Sequence, residues 1–330
     1  MDRAFATETT TYVDRPIPQI SLANFEERID SITEQLCSAA EEVGFFAIVD
    51  HGVSEAEMDA MFAASEAFFR LPEAVKRTVP LSEHNAGYEC RSQVRPSTGA
   101  PDDKESYQLQ FGHHMRGLWI GDEHLPGFRL TAVGFMHRLQ AVSERLMRCF
   151  ARGLGLADDY FVRAHDVSRP DCQTVLRLLH YFETPRARAG GPVRHRAGAH
   201  VDWDLLTLLL QREGQSGLEI CPGREVVTEW AAGAAWTRVE PAPGTIVCNI
   251  GDLLMSWSDD RFKSTFHRVK APVDDGDNFD ERFSIAFFNQ PCADVEIQGP
   301  AKKYPLVTGR EFTATALARN YRALQEKRAQ

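Results

Sequence analysis

The sequence HVDWDLLTLL occupies residues 200–209 and joins two metal-binding side-chain types to an apolar run. One residue separates His200 from Asp202, and in an extended strand such side chains point to the same side. An imidazole and a carboxylate on one face can chelate one cation. The stretch therefore predicts a β-strand that carries two ligands of a metal site.

The residues that follow Pro170 form short apolar runs separated by Gly, Pro and Asp turns. The runs lie at 174–182, 205–210, 217–220, 235–239, 245–249, 265–270 and 282–288. Many short strands at near-regular spacing predict a sandwich or barrel, and we expect a jelly roll.

Helical patterns flank this β region. Apolar residues recur at helical spacing over 25–43, and Ser54 with Glu57 predicts a capping box for the helix that follows. A long helix is predicted over 132–154 and a closing helix over 311–327. The fold class is therefore mainly β with flanking α-helices.

The chain divides into two regions that differ in their predicted secondary structure. Residues 1–130 read as an N-terminal helical and mixed region, and residues 131–330 as the long helix, the jelly-roll core and the closing helix. Because no Pro/Ser-rich linker separates them, we expect one structural unit.

Composition excludes several classes of protein. The net charge is −10, from 37 basic and 47 acidic residues, which argues against a general nucleic-acid binder. No apolar run approaches the roughly 20 residues that span a bilayer. The seven cysteines are odd in number and have no CxxC spacing, so we read them as reduced thiols. We expect a cytoplasmic protein with no membrane partner.

A third ligand and a carboxylate clamp complete the pattern. His267 lies in a separate β run, and two histidines with one carboxylate form the facial triad of Fe(II) oxygenases. Arg282 and Ser284 share strand parity 15 residues beyond His267, by the difference 282 − 267. A guanidinium and a hydroxyl on one face form a cradle for a carboxylate.

At this point the chain resembles the isopenicillin N synthase-like branch of the 2-oxoglutarate/Fe(II)-dependent dioxygenase family. The resemblance covers nearly the whole chain. It rests on the sequences GFFAIVDHGV at 44–53, DKESY at 103–107, HVDWDLLTLL at 200–209, NIGD at 249–252 and RFS at 282–284.

The resemblance implies a double-stranded β-helix whose Fe(II) is held by His200, Asp202 and His267. It implies 2-oxoglutarate as cosubstrate and O2 as oxidant, with ascorbate as an accessory reductant. The reaction implied is hydroxylation, desaturation or ring modification of a small molecule, with release of succinate and CO2.

The far carboxylate of 2-oxoglutarate is implied to bind Arg282 and Ser284, with Tyr181 as a third contact. The chain departs from many plant members at Leu179, where they carry Asn. Contacts near the cosubstrate are therefore expected to differ from theirs.

Six residues are predicted for the substrate pocket: Phe288, Arg177, Phe111, His113, Arg194 and Arg196. Phe288 shares strand parity with Arg282, and Arg177 lies four residues before Tyr181, at even spacing. Residues 186–196 hold four arginines on a Gly-rich stretch, which forms either a lid for an anionic substrate or a solvated loop.

Three alternatives remain open from sequence. An oxidase resembling isopenicillin N synthase or aminocyclopropane carboxylate oxidase has the same triad and RxS but does not use 2-oxoglutarate. A non-catalytic binding protein has the scaffold, and a zinc protein has the donor set. Substrate identity, and monomer against homodimer, are also undecided.

Overall fold

The structure is a computed structural model that describes residues 11–93, 101–185, 195–221, 235–273 and 276–328. Its strands are β1 Thr11–Tyr12, β2 Gln19–Ser21, β3 Phe45–Val49, β4 Gly87–Cys90, β5 Lys104–Gln110, β6 Val175–Tyr181, β7 His195–His200, β8 Leu206–Gln211, β9 Leu218–Cys221, β10 Ala235–Arg238, β11 Ile246–Ile250, β12 Phe266–Lys270, β13 Arg282–Phe288, β14 Glu296–Ile297 and β15 Val307–Thr308. Its helices are α1 Phe25–Glu42, α2 Glu55–Phe69, α3 Glu73–Lys76, α4 Phe128–Gly153, α5 Tyr160–Ala164, α6 Asp252–Trp257 and α7 Gly309–Arg328, with a 3₁₀ turn at Gly112–Met115.

Two sheets form the core of the fold. The larger has the strand order β2-β3-β11-β8-β13-β6-β5-β4, and the smaller has the order β1-β10-β9-β12-β7. Within them, β11-β8-β13-β6 and β10-β9-β12-β7 are two antiparallel four-stranded sets. This is the predicted double-stranded β-helix.

Strand β13 shows how the alternation of side chains divides the interior. Phe283, Ile285 and Phe287 are buried in the large apolar cluster that also contains residues of α1 and α4. The intervening residues Arg282, Ser284, Ala286 and Phe288 line a cavity on the other face. One face of the sheet therefore packs against helices, and the other is left for the site.

The helices follow their predicted signals closely. At the start of α2, the Ser54 backbone N–H donates to Glu57 Oε2 at 2.8 Å and the Glu57 N–H donates to Ser54 Oγ at 3.3 Å, which completes the capping box. The long helix α4 begins at Phe128, four residues earlier than predicted. Among the described helices, none is long and apolar enough to cross a membrane.

The strand prediction at the metal motif was wrong in detail. Strand β7 ends at His200, and residues 201–203 belong to no strand. His200 and Asp202 are therefore not two alternate positions of one strand. Asp202 reaches the same point because the chain turns there between β7 and β8, and its carbonyl accepts a hydrogen bond from Asp252 N at 2.8 Å.

Strands of the N-terminal region extend the larger sheet on both sides. Strand β3 pairs with β11 from Phe45 opposite Asn249, and β5 pairs with β6 along its whole length. Main-chain hydrogen bonds therefore join residues 1–130 to residues 131–330.

A buried ionic cluster lies where β5 meets α3 and β6. Glu105 accepts hydrogen bonds from Lys76 Nζ at 2.5 Å and Tyr88 Oη at 2.5 Å, and its other oxygen lies 2.8 Å from His180 Nδ1. Burial acts to raise the pKa of Glu105, but the hydrogen bonds from His180, Lys76 and Tyr88 outweigh it and hold the pKa below its ordinary value.

We expect Glu105→Gln to lower the free energy of unfolding by about 3–5 kcal/mol near neutral pH, because it leaves the Lys76 ammonium buried without its counter-charge. A depressed carboxyl pKa contributes stability above its unfolded value of about 4.3, and that stability is lost as the pH falls through the folded pKa. The difference between the two proteins should therefore shrink in acid.

Urea titrations at several pH values measure this difference. Glu73→Gln is the matched control, because Glu73 forms an exposed pair with Arg77 in which both side chains are more than half exposed. A loss no larger than that of the control would contradict the prediction.

Candidate metal centre and cosubstrate site

Three potential metal ligands lie close together where strand β7 of the smaller sheet ends. His200 ends β7 and His267 lies directly opposite it on β12. With Asp202 they offer one ligand atom each, and these atoms all lie within 4.8 Å of one another. Asp202 Oδ1 lies 3.8 Å from His200 Nε2 and 3.6 Å from His267 Nε2.

Backbone carbonyls orient the two imidazoles. His200 Nδ1 lies 2.7 Å from the carbonyl of Gly198, and His267 Nδ1 lies 3.3 Å from that of Thr265. Because a carbonyl only accepts, each contact places the proton on Nδ1 and leaves the Nε2 lone pair facing the other ligands. Phe45 packs edge-on against His267, with ring centroids 5.5 Å apart.

Two neutral groups hold the carboxylate. Asp202 Oδ2 accepts hydrogen bonds from Thr207 Oγ1 at 2.7 Å and from Asn249 Nδ2 at 2.9 Å, while Oδ1 faces the imidazoles. Thr207 Oγ1 also lies 3.0 Å from Asp204 Oδ2. Burial, with the neighbouring Asp202 charge, raises the pKa of Asp204 well above its ordinary value.

A buried arginine lies across the same cavity. Arg282 is 1% exposed and stands opposite Tyr181 on β6, with the guanidinium carbon 5.0 Å from the centre of the Tyr181 ring. Its nitrogens donate to the Gln215 carbonyl at 3.1 Å, Ser284 Oγ at 3.2 Å and Gln211 Oε1 at 3.0 Å. Burial lowers the pKa of Arg282, and the neighbouring Tyr181 opposes this effect.

The cavity, of about 1300 Å³ including its open mouth, brings the predicted groups together. All six residues of the predicted metal and cosubstrate sites line it: His200, Asp202, His267, Arg282, Ser284 and Tyr181. Phe288 and Arg177 line it too, and the Arg177 guanidinium carbon lies 5.1 Å from the centre of the Phe288 ring.

Two predicted pocket residues lie elsewhere. Among the described residues that line the cavity, neither Phe111 nor His113 appears. Phe111 is buried against His137, and His113 is exposed in the 3₁₀ turn Gly112–Met115.

Most of the predicted lid, residues 186–194 with Arg194, lies outside the described residues. Arg196 is 2% exposed within β7, where its guanidinium donates to the main-chain carbonyls of Phe182, Phe279 and Asp280. Arg196 therefore links β7 by hydrogen bonds to two other segments of the chain, and it does not lie on an exposed loop.

Sequence reasoning missed many cavity residues, among them Trp203, Asn249, Glu89 and Lys104. Trp203 follows the end of β7, where strand parity does not apply, and it lines the cavity. Asn249 entered the sequence analysis only as part of the NIGD stretch, without a role at the metal site. Glu89 and Lys104 gave no pattern of their own, although Lys104 stands in the DKESY stretch.

This double-stranded β-helix has two imidazoles and one carboxylate in the lining of its cavity. That is the architecture and donor set of a non-haem Fe(II) oxygenase. Comparison with known proteins agrees. Residues 17–118 match the family model of the N-terminal region of a non-haem dioxygenase in morphine synthesis. Residues 172–291 match that of the 2OG-Fe(II) oxygenase superfamily.

The alignments with similar proteins cover most of this chain and most of each similar protein. Proline hydroxylase buaE of Petromyces alliaceus is 30% identical over 82% of this chain and 85% of its own. Full-length T7H of Neurospora crassa, solved with alpha-KG, has a TM-score of 0.80 at 27% identity and covers 94% of this chain and 100% of its own. JOX2, solved with 2OG, Fe and JA, has a TM-score of 0.72 at 27% identity over 92% of this chain and 86% of its own.

The chain belongs to the 2-oxoglutarate/Fe(II)-dependent dioxygenase family, in the isopenicillin N synthase-like superfamily. It is an oxidoreductase that uses Fe(II) and 2-oxoglutarate and acts on a small molecule. The alternative of an oxidase that dispenses with 2-oxoglutarate is not favoured, because the similar proteins are 2-oxoglutarate-dependent.

Proposed function

We propose that His200, Asp202 and His267 hold the Fe(II) of a small-molecule oxygenase. The observation that carries the proposal is the convergence of their ligand atoms within 4.8 Å at a cavity that also contains a buried arginine. The fixed Nδ1 contacts of both histidines support it, because they direct the Nε2 atoms towards Asp202. Three ligands on one face leave positions for a cosubstrate and O2.

Arg282, Ser284 and Tyr181 are proposed to bind the far carboxylate of 2-oxoglutarate. The Arg282 guanidinium is already fixed by Gln215 and Gln211, so little side-chain freedom is lost on binding. Its burial keeps water away from the ion pair and strengthens it. The Ser284 hydroxyl and the Tyr181 phenol lie on the same face to add hydrogen bonds.

When bound, Fe(II) and 2-oxoglutarate supply the oxidation of the substrate by O2, with succinate and CO2 released. The protein's residues hold the substrate so that one bond faces the metal. We propose hydroxylation as the outcome, with desaturation and ring modification as variants of the same reaction. Phe288 and Arg177 are proposed as substrate contacts, because both line the cavity.

The domain organisation, the cellular location and the oligomeric state are also proposals. We propose that residues 1–130 and 131–330 fold as one unit, supported by the pairing of β3 with β11 and of β5 with β6. We propose a cytoplasmic enzyme of specialised metabolism, monomeric or homodimeric, with neither nucleic-acid nor membrane partner and with ascorbate as an accessory reductant. The absence of disulfides among the seven cysteines supports a reducing compartment.

Anaerobic visible absorption tests the proposed function. The metal-free protein is titrated with Fe(II) and then with 2-oxoglutarate. A weak metal-to-ligand charge-transfer band that requires both additions is expected. Fe(II) binding without a band on addition of 2-oxoglutarate would move the assignment to an oxidase, and failure to bind Fe(II) would overturn it.

Asn249→Ala is expected to weaken Fe(II) binding by roughly 10–100-fold, the usual effect of removing an outer partner of a metal ligand. Asp202 would lose one of the two donors that hold its Oδ2 atom. Competition with a chelator measures the affinity. Thr207→Ser, which keeps the other donor, is the control, and an Asn249→Ala affinity equal to its affinity would refute the role of the amide.

A further inference from the structure

Residue Gln290 extends the cavity face of β13 beyond the end of the strand. Alternate residues of β13 from Arg282 to Phe288 line the cavity, and Gln290 continues this alternation and lines it too. Asn289, between the strand and Gln290, keeps the pairing with β8, since its N–H donates to the Leu206 carbonyl at 3.0 Å. Gln290 is 2% exposed, so its side chain lies inside the fold.

Gln290 lies at the metal end of this face. Phe288, two residues before it, stands opposite Thr207 on β8, and Thr207 Oγ1 donates to Oδ2 of the proposed ligand Asp202 at 2.7 Å. Arg282 precedes Phe288 by six residues (288 − 282), which span about 20 Å of strand. A group bound at Gln290 would therefore be near the metal centre and away from the proposed cosubstrate clamp.

The carboxamide oxygen of Gln290 has no partner in the described part of the chain. Its Oε1 is buried, and no described group donates a hydrogen bond to it. Two other amides of the cavity have partners within the protein. Asn249 Nδ2 donates to Asp202 Oδ2 at 2.9 Å, and Asn85 Oδ1 lies 3.5 Å from a nitrogen of Arg177. A buried acceptor without a donor is costly unless a ligand supplies the donor.

The main chain at Gln290 is fixed by two side chains of the segment that precedes β6. The Gln290 carbonyl accepts a hydrogen bond from Thr174 Oγ1 at 3.1 Å. The next carbonyl, that of Pro291, accepts one from Gln173 Nε2 at 2.9 Å. Because the backbone is already fixed, little main-chain freedom is lost when the side chain binds a ligand.

The cavity also has apolar walls. Val175 stands opposite Phe288 on β6, and Leu81 and Leu317 line the cavity from outside the two sheets. An apolar body gains free energy when it leaves water for such surroundings. A hydrogen bond formed there is also electrostatically stronger than one in water.

We propose that Gln290 is a specificity-determining residue whose Oε1 accepts a hydrogen bond from an N–H or O–H group of the substrate. The substrate class is then a small molecule with an apolar body and a hydrogen-bond donor near the bond that is oxidised. This inference rests on the proposed function and adds a recognition contact on the metal side of the cavity. Gln290 positions the substrate and does not itself react.

The stability of the metal-free protein gives the first test. Gln290→Met keeps the length of the side chain and removes the unmatched oxygen, so we expect the unfolding midpoint to rise by about 2–5 °C. Gln35→Met is the control, because Gln35 is exposed on α1 and donates only to the Ser31 carbonyl of its own helix. A Gln290→Met midpoint no higher than that of the control would overturn the proposal, because the amide would then stabilise the fold.

Matched probes test the contact itself. The anaerobic protein, loaded with Fe(II) and saturating 2-oxoglutarate, is titrated calorimetrically with indole, 2-quinolone and 2-naphthol, and in parallel with their N-methyl or O-methyl derivatives. We expect the donors to bind roughly 3- to 12-fold more tightly than the methylated forms, the range of one net hydrogen bond. Gln290→Met should remove most of this preference, whereas Gln290→Glu, which keeps an acceptor, should retain it.

Three results of the titrations would overturn the proposal. They are equal binding of donors and methylated forms, a preference of the same size in Gln290→Met, and failure of all six probes to bind.

The charge-transfer band, recorded on the same samples, separates the two conclusions. A missing band in the unaltered protein contradicts the proposed function. A band without a preference for donors contradicts only the role of Gln290. The unfolding midpoints test that role in either case, because they are measured without metal or cosubstrate.

Discussion

The His267→Ala variant is expected to bind Fe(II) at least about 100-fold more weakly than the unaltered protein, beyond the upper end of what loss of an outer partner causes. His267 would supply one of three ligands, and its Nε2 lies 3.6 Å from Asp202 Oδ1, so its removal leaves a two-ligand site. The charge-transfer band should disappear, and succinate release should fall to background. Chelator competition measures the Fe(II) affinity, and single-turnover assays measure the release of succinate.

The control for this variant is a histidine outside the cavity. His124 has a side chain that is 39% exposed next to Glu123, and His124→Ala should retain both the band and turnover. Circular dichroism and the unfolding midpoint confirm that each metal-free variant is folded. Full Fe(II) affinity in His267→Ala would remove the histidine from the ligand set.

Arg282→Gln should raise the KM for 2-oxoglutarate roughly 10- to 150-fold, since hydrogen bonds to charged groups contribute about 1.5–3 kcal/mol. None of the three proposed metal ligands lies on β13, since the histidines are on β7 and β12 and Asp202 follows β7, so Fe(II) affinity should change little. The value of kcat at saturating cosubstrate should fall less than kcat/KM. This split separates loss of cosubstrate binding from loss of the metal site.

A partly exposed arginine outside the cavity provides the comparison. Arg212 follows β8 and pairs with Glu66 at 2.9 Å, and Arg212→Gln should leave KM unchanged. Since Arg282 is 1% exposed, the variant also loses stability, and assays belong at a temperature where it remains folded. An unchanged KM for 2-oxoglutarate in the folded variant would place the clamp elsewhere.

Much of the core was accessible from sequence because its signals are local. The runs at 205–210 and 282–288 become β8 and β13 within one residue at each end, since alternation and turn residues act over a few positions. Strand parity placed Arg282, Ser284 and Phe288 on the cavity face correctly. The convergence of His267 with His200 was inferred from chemistry, and the structure shows them paired on adjacent strands.

The remaining features depend on contacts between distant parts of the chain. Asp202 lies where the chain leaves β7, and parity rules do not apply outside a strand. Arg196 had the charge of a lid residue, but two of its three carbonyl partners are more than 80 residues away in the sequence. Glu89, Lys104 and Arg177 line one cavity only because β4, β5 and β6 lie side by side.

The position of the N-terminal strands bears on how the chain tolerates truncation. In the sheet order, β3 covers β11 and β5 covers β6, so a fragment of residues 131–330 would end its larger sheet in two bare edges. The five residues of β11 are all buried in the intact chain. Unpaired apolar edges are templates for association with other chains. We therefore expect the N-terminal region to protect the core from aggregation, in addition to lining part of the cavity.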